Sequence, residues 1–354
     1  MISSYLISTV LFFGFLILFF YLWKVFFIHS HLFRYYNSVQ RSHESEVPRF
    51  GGVCCLIFIL IYCLINDLFV KPLVLNLFLS LIPLLLISLV EDFFHCIKPL
   101  YRFLGMLFSI LLFFSLDNIV LPNMYLPFFD YFHDNNIFLT IFYIFSLLVL
   151  INGNNLIDGM NGILITNLIA QLLALIFLCY KFNDSIYMEY AFIFLLPLLL
   201  LFIFNYPLGK IFMGDTGAYI YGFLIGTILI SFFGKHPELI TWNAVFIFLY
   251  PSFELLFSII RKFFEKEKGP TNADMLHLHS IIYKLYLKKT NGDVIKSNNN
   301  VLKIMVLFSF SPTLVIFIYD SFTNILLAII LFLILYTTLY FYLRRLYETY
   351  YSRH

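Results

Sequence analysis

Charge is what this chain has least of. Only 12% of its 354 residues are Asp, Glu, Lys or Arg, against 62% that are hydrophobic, and no soluble domain of that size could hide so much apolar surface. That excludes an ordinary soluble enzyme, makes the lipid bilayer the expected partner, and gives no reason to expect nucleic acid. Cysteine is scarce as well. The five (Cys54, Cys55, Cys63, Cys96, Cys179) lie in or beside apolar runs without metal-ligand spacing, so neither a disulfide framework nor a zinc site is expected. There is no Walker loop, no dinucleotide fingerprint and no fixed-period repeat.

What is there is a series of long apolar runs. About 20 apolar residues are needed to cross a bilayer as a helix. The runs fall near 5–28, 51–66, 72–90, 100–117, 136–151, 160–180, 189–207, 217–233, 239–260, 301–319 and 322–343. The expected fold is therefore all-α and polytopic, a single transmembrane catalytic domain over 1–354 with ten or eleven spans and its active-site loops in the cytoplasm. The first run is longer than a signal-peptide core and has no small-residue cleavage site after it, so it reads as a retained span. If the loop 29–50 is cytoplasmic, alternation puts 91–102, 152–162, 205–217, 261–300 and the tail 344–354 on the same side. Those segments hold 17 of the 22 Lys and Arg, so the positive-inside rule sets the N-terminus outside and the C-terminus inside. The largest of these loops, 261–300, contains an amphipathic stretch from Met275 to Lys289 suited to a membrane surface, then a polar linker from Asn291 to Asn300.

Four polar motifs interrupt the apolar sequence, all on that same side. Glu91 and Asp92 end the third span. Acidic residues often mark where a helix leaves the bilayer, but a carboxylate pair also suits Mg²⁺, which takes oxygen ligands and travels with phosphates. Between spans five and six lie Asn152, Asn154, Asn155, Asp158 and Asn161. A turn needs some of these, but not four amides around a carboxylate, a set that can read a nucleobase or sugar. Gly214, Asp215 and Gly217 open the eighth span; Asp215 could simply cap the helix, yet a helix N-terminus lined with glycine is also a phosphate site. His277 and His279 are two apart and would not share a helix face, so a zinc site is disfavoured and hydrogen bonding to phosphate is the better reading. Arg49 with Gly51 and Gly52 before span two, Arg102, and Asn205 at the end of span seven face the same mouth. Glu254, inside span nine, reads as a partner for a neighbouring helix and stands outside the site.

In order, Val47–Gly52, Glu91-Asp92, Asn152–Gly162, Phe212–Ala218 and His277–Ser280 resemble the VPRxGG, Asp-Asp, NxxNxxDGxDG, FMGDxGS and HxHH motifs of the polyprenyl-phosphate N-acetylhexosamine-1-phosphate transferases, the MraY/WecA-like family. Glu91, Asn161 and Ser280 depart from that pattern, and with Gly217-Ala218-Tyr219 they look like a surface-polysaccharide subgroup. The resemblance implies transfer of a sugar 1-phosphate, by default N-acetylglucosamine 1-phosphate, from a UDP-sugar donor to undecaprenyl phosphate in the bacterial inner membrane, as the first step of O-antigen or another surface polysaccharide. It implies Mg²⁺, with Mn²⁺ as a substitute, on Asp215, Asp158 and Asp92. Catalytic roles fall to Asp92, Glu91, Asp158, His277 and His279. Substrate contacts fall to Asn152, Asn155, Asn161, Asn205, Gly214, Arg49 and Arg102. A homodimer is allowed. Two other readings stand beside it: the phospho-MurNAc-pentapeptide transferase of peptidoglycan synthesis, and a polytopic transporter. Transporter sites, however, lie near the bilayer midplane.

Overall fold

The structure, a computed structural model, describes residues 2–22, 47–124, 136–265, 276–318 and 321–351. Within them are thirteen α-helices, one 3-10 turn (Leu68–Val70) and no strand. In chain order the helices are α1 (Ile2–Leu22), α2 (Gly51–Ile65), α3 (Pro72–Phe94), α4 (Pro99–Leu116), α5 (Asn136–Ile157), α6 (Ile163–Lys181), α7 (Ser185–Asn205), α8 (Gly214–Lys235), α9 (Trp242–Ile247), α10 (Leu249–Phe264), α11 (Leu278–Lys289), α12 (Val294–Ile318) and α13 (Phe322–Tyr351). Among the described residues every apolar run of the sequence coincides with a helix or a helix pair. Among the described residues eight helices (α3 to α8, α12 and α13) are long and apolar enough to cross a membrane. The protein is a polytopic membrane protein of all-α class. Most of the loop 29–50, half of 118–135, and 266–275 with Asp274 and Met275 lie outside the described residues.

The bundle is organised around α8, in which every residue from Gly214 to Gly234 is buried. A helix apolar on all sides belongs in the middle of a bundle, and small residues let its neighbours come close. A Cβ on Gly222 would stand 3.0 Å from Ile151 Cα of α5, and one on Gly226 would stand 2.5 Å from Leu147. α2, α3, α5 and α6 surround α8, and α1 lies outermost against α2.

The ninth run is not one continuous helix. The chain breaks at Phe248 between α9 and α10. Pro251 supplies no N–H to the carbonyl of Ile247 and its ring crowds that carbonyl, which ends the shorter helix there. The break turns α10 so that Glu254, Ser258 and Arg261 are buried while Leu256, Ile259, Ile260 and Phe263 are exposed. The stretch expected to lie on a membrane surface packs inward instead. α11 buries Leu278, His279, Ile281 and Ile282, and it packs against α12 and α13.

At the end of the bundle away from α8's N-terminus, Asp184 ties two helices together. Its Oδ1 accepts N–H groups of Ile186 (3.2 Å) and Tyr187 (3.3 Å), capping α7, and its Oδ2 accepts from Lys235 Nζ (2.6 Å) and lies 2.9 Å from His236 Nε2. Burial raises the Asp184 pKa, but the hydrogen bonds from Lys235 and His236 outweigh it and hold the carboxyl below its ordinary value. Asp184→Ala is expected to lower stability by about 1–2 kcal/mol at neutral pH. Because the folded-state pKa is depressed, the contribution is fully present above the unfolded value of roughly 4 and is lost as pH falls below it. Melting curves in detergent at pH 7 and pH 3 check this; an equal difference between wild type and variant at both would contradict it.

Candidate active site

Two motifs far apart in sequence form one backbone unit. Phe212 N–H donates to Pro48 O (2.9 Å), Gly51 N–H to Phe212 O (2.8 Å) and Gly52 N–H to Met213 O (2.9 Å). This brings α2 and α8 to backbone contact, where a Cβ on Gly52 would lie 2.1 Å from Gly217 Cα. Gly214 has φ +77°, a left-handed conformation that favours glycine, and its Cβ would fall 2.2 Å from Arg49 O.

The first N–H groups of α8 need partners from outside the helix. Asp92, buried at the last turn of α3, takes two: Oδ1 accepts from Asp215 N (2.9 Å) and Oδ2 from Thr216 N (2.8 Å). Asp158, in the turn after α5, takes a third, with Oδ2 accepting from Gly214 N at 3.2 Å. The capping role that the sequence allowed for Asp215 is thus filled by carboxylates of other elements. Asp215 itself points elsewhere, to Arg102 (3.0 Å) and Arg49 (3.4 Å). Glu91 accepts from Ile97 N (2.9 Å) and lies 3.5 Å from Arg102, so it orders the link to α4 and braces the guanidinium. Burial pushes the Asp158 carboxyl up to about 8; Arg49 pulls it back, while Asp215 and Asp92 add to the rise. His95, in a left-handed conformation just after α3 (φ 48°), stands within electrostatic reach of Arg49, Glu91, Asp215 and Arg102.

The histidines form a second group. His277 is extended (φ −69°, ψ 150°) and only His279 is helical, so the rule that i and i+2 face apart on a helix does not apply. Their rings lie parallel, with centroids 5.5 Å apart and planes 4° apart. His277 Nδ1 is 3.0 Å from Ser258 Oγ and 3.2 Å from Glu254 Oε1. His279 Nε2 lies 3.0 Å from where a Cβ on Gly159 would be, so this ring rests on the turn that carries Asp158.

The Asn-rich segment is only partly a loop. α5 runs on to Ile157, which makes Asn152, Asn154 and Asn155 helical. Asn152 Nδ2 donates to Leu148 O (2.8 Å) and approaches Met106 Sδ (3.3 Å), turning toward α4. Asn154 is buried beside Gly222. Asn155 is half-buried, and its carbonyl accepts Asp158 N–H at 3.3 Å. Asn161 faces α12: its N–H donates to Asn298 Oδ1 (2.8 Å) and its Nδ2 to Asn299 Oδ1 (3.0 Å). The expected linker 291–300 is therefore largely the first turns of α12, and it braces the turn from behind. Asn205 braces it from the other side, accepting Gly162 N–H (2.5 Å) and donating to Ile211 O (2.7 Å).

Arg49, Glu91, Asp92, Arg102, Asp158, Gly214 and Asp215 thus form one cluster, and His277 and His279 adjoin it through Gly159. Asn161 and Asn205 use their amides to hold the turn in place. Sequence reasoning left out Glu254, His95 and the Asn298–Asn299 pair. Only Glu254 carried a signal, as a carboxylate inside an apolar run. Among the described residues no group of three or more His, Cys, Asp or Glu is arranged to hold a metal ion.

Fold and site together define a polytopic, all-helical membrane protein with acidic, basic and imidazole groups gathered at one end of its central helix. Residues 74–233 match the model of glycosyl transferase family 4. A Thermotoga maritima protein named undecaprenyl-phosphate alpha-N-acetylglucosaminyl 1-phosphate transferase is 25% identical over 245 residues, 68% of this chain and 70% of the relative. A Staphylococcus epidermidis phospho-N-acetylmuramoyl-pentapeptide-transferase is 26% identical over 224 residues, 58% of this chain and 69% of the relative.

Proposed function

We propose that this protein transfers an N-acetylhexosamine 1-phosphate, by default that of N-acetylglucosamine, from a UDP-sugar to undecaprenyl phosphate and releases UMP. The observation that carries the proposal is the α8 N-terminus, where two guanidiniums and three carboxylates meet beside the glycine-lined start of the helix. An oxygen of the lipid phosphate attacks the β-phosphorus, and the bond from that phosphorus to the UMP oxygen breaks. Phosphoryl transfer of this kind needs positioning and charge neutralisation more than covalent help. Arg49 and Arg102 supply two positive charges for phosphate oxygens; Asp215, which pairs with both, sets their positions. Asp92 holds the helix end rigid and sits where the acceptor phosphate would arrive. His277 and His279, beside the Asp158 turn, are donors to phosphate on that side.

The described carboxylates are not pre-arranged as a three-ligand metal site, but their donor chemistry suits Mg²⁺. The set is oxygen-only, and Asp158 is pushed up to about 8 by burial and neighbouring carboxylates, a deficit of positive charge that a cation would relieve. Asp215, Asp158 and Asp92 would hold the ion, which when bound neutralises the pyrophosphate. A chelator is expected to abolish turnover, and Asp158→Asn to raise the Mg²⁺ concentration for half-maximal rate by about tenfold or more. An unchanged Mg²⁺ requirement would remove Asp158 from the set.

The acceptor pathway proposed is a surface polysaccharide such as O-antigen, with the site on the cytoplasmic side of a bacterial inner membrane. The two kinds of relative are equally similar, so this preference rests on Glu91, Asn161 and Ser280, where the chain departs from the family pattern. UMP release by purified protein with undecaprenyl phosphate, Mg²⁺ and a panel of UDP-N-acetylhexosamines plus UDP-MurNAc-pentapeptide tests the reading. Lipid-dependent release with one N-acetylhexosamine supports it. Release with the pentapeptide donor alone corrects the substrate, and none with any donor overturns the reaction.

A further inference from the structure

The buried acid that the apolar run concealed has a specific geometry. Glu254 is 1% exposed on α10, and both of its oxygens are in use. Tyr336 of α13 donates its hydroxyl to Oε2, and Oε1 lies 3.2 Å from His277 Nδ1. Ser258, one turn further along α10, brings Oγ to within 3.0 Å of the same nitrogen. Two side chains of α10 therefore meet one edge of one imidazole, and α13 holds the acid from behind.

We propose that Glu254 is a positioning residue that fixes the tautomer and orientation of His277 for the transfer reaction. A carboxylate oxygen only accepts, so the nitrogen facing it carries the proton. An unprotonated Nδ1 would set its lone pair against the carboxylate's. Tyr336 donating to the other oxygen keeps Glu254 an acceptor on both sides. With Nδ1 protonated, the basic position of His277 is Nε2, and the ring plane is held parallel to that of His279 on the Asp158 turn. Other groups around this acid are Tyr250, which lies on α10 one turn before Glu254, and His279; Asp158 sits in the adjoining turn. The break at Phe248 gives the device its physical basis. It turns Glu254 and Ser258 inward, where a continuous span would have no reason to spend a carboxylate. The proposal deepens the reading of His277 as a phosphate contact and rests on it.

The test is a ¹⁵N-histidine spectrum of the full-length protein in detergent at a pH where His277 is neutral, with His277→Asn supplying the assignment. Wild type and Glu254→Gln are expected to show the Nδ1–H tautomer, because the glutamine oxygen still accepts. Glu254→Leu is expected to shift His277 toward Nε2–H, with Ser258 then donating to Nδ1. In turnover, Glu254→Leu should lose about ten- to a hundredfold in kcat with little change in KM for the donor, and Glu254→Gln should recover most of it. Nε2–H in the wild type would overturn the proposal even if neither Glu254 variant folds. So would Glu254→Gln falling as far as Glu254→Leu. The spectrum needs no substrate, so a protein inactive with every donor but showing the Nδ1–H tautomer would fail the functional reading and leave the geometry standing.

Discussion

Asp215→Ala is expected to lower UMP release by at least about a thousandfold, at any Mg²⁺ concentration, while the protein stays folded. The reason is local. Asp215 stands at the first turn of α8, accepts from Arg102 at 3.0 Å and from Arg49 at 3.4 Å, and its N–H is held by Asp92. Removing the carboxylate takes an anionic partner from two guanidiniums at once and removes the carboxylate proposed as the main ligand for a cation. The helix end does not depend on that side chain, because Asp92 and Asp158 cap it. Asp215→Asn should lose nearly as much, since it keeps the shape but not the charge. Near wild-type turnover by either variant, measured as UMP release, would sink the assignment.

Gly52→Ala is expected to be almost as damaging by a different route. One methyl group at this position would lie 2.1 Å from Gly217 Cα and 2.3 Å from Gly217 N, backbone atoms that no rotamer change can move. α2 and α8 would have to separate, breaking the bond from Gly52 N–H to Met213 O. The cost of such overpacking is roughly 3 kcal/mol or more. It would also shift the α8 N-terminus away from Arg49. The yield of folded protein, its melting temperature and UMP release should all fall together. Gly14→Ala, where a Cβ has nothing within 4 Å, is the control expected to change none of them. A Gly52→Ala protein with unaltered melting and activity would show that the two helices do not meet there.

Much of the fold was legible because hydropathy is a property of one segment at a time. Among the described residues each apolar run but the ninth became a single helix, and Pro72 and Pro99 open α3 and α4 at the first helical position, where a missing N–H costs nothing. The ninth run was misjudged for a related reason: an average over 239–260 does not see what Pro251 does to the carbonyl of Ile247. The linker 291–300 was read as loop from its asparagines, yet Asn298 and Asn299 are helical and take part in holding the Asp158 turn. Polar side chains weaken a helix prediction, but they are tolerated where a neighbouring element satisfies them.

The sequence alone determined that the chain is a polytopic membrane protein and that its polar motifs are few and ordered, and it singled out Asp92, Asp158, Asp215 and the two histidines as candidates for one site. Those conclusions follow from composition and spacing, which a linear chain carries in full. Only the tertiary structure decided which groups touch. It assigned the capping of α8 to Asp92 and Asp158, gave Asp215 to two guanidiniums, turned Asn161 and Asn205 to bracing, and placed Glu254 behind His277. Hydrogen bonds act over about 3 Å. Which helices approach that closely is settled by glycine contacts such as Gly52 against Gly217 and by the break before α10, relations between distant segments that no single stretch of sequence contains.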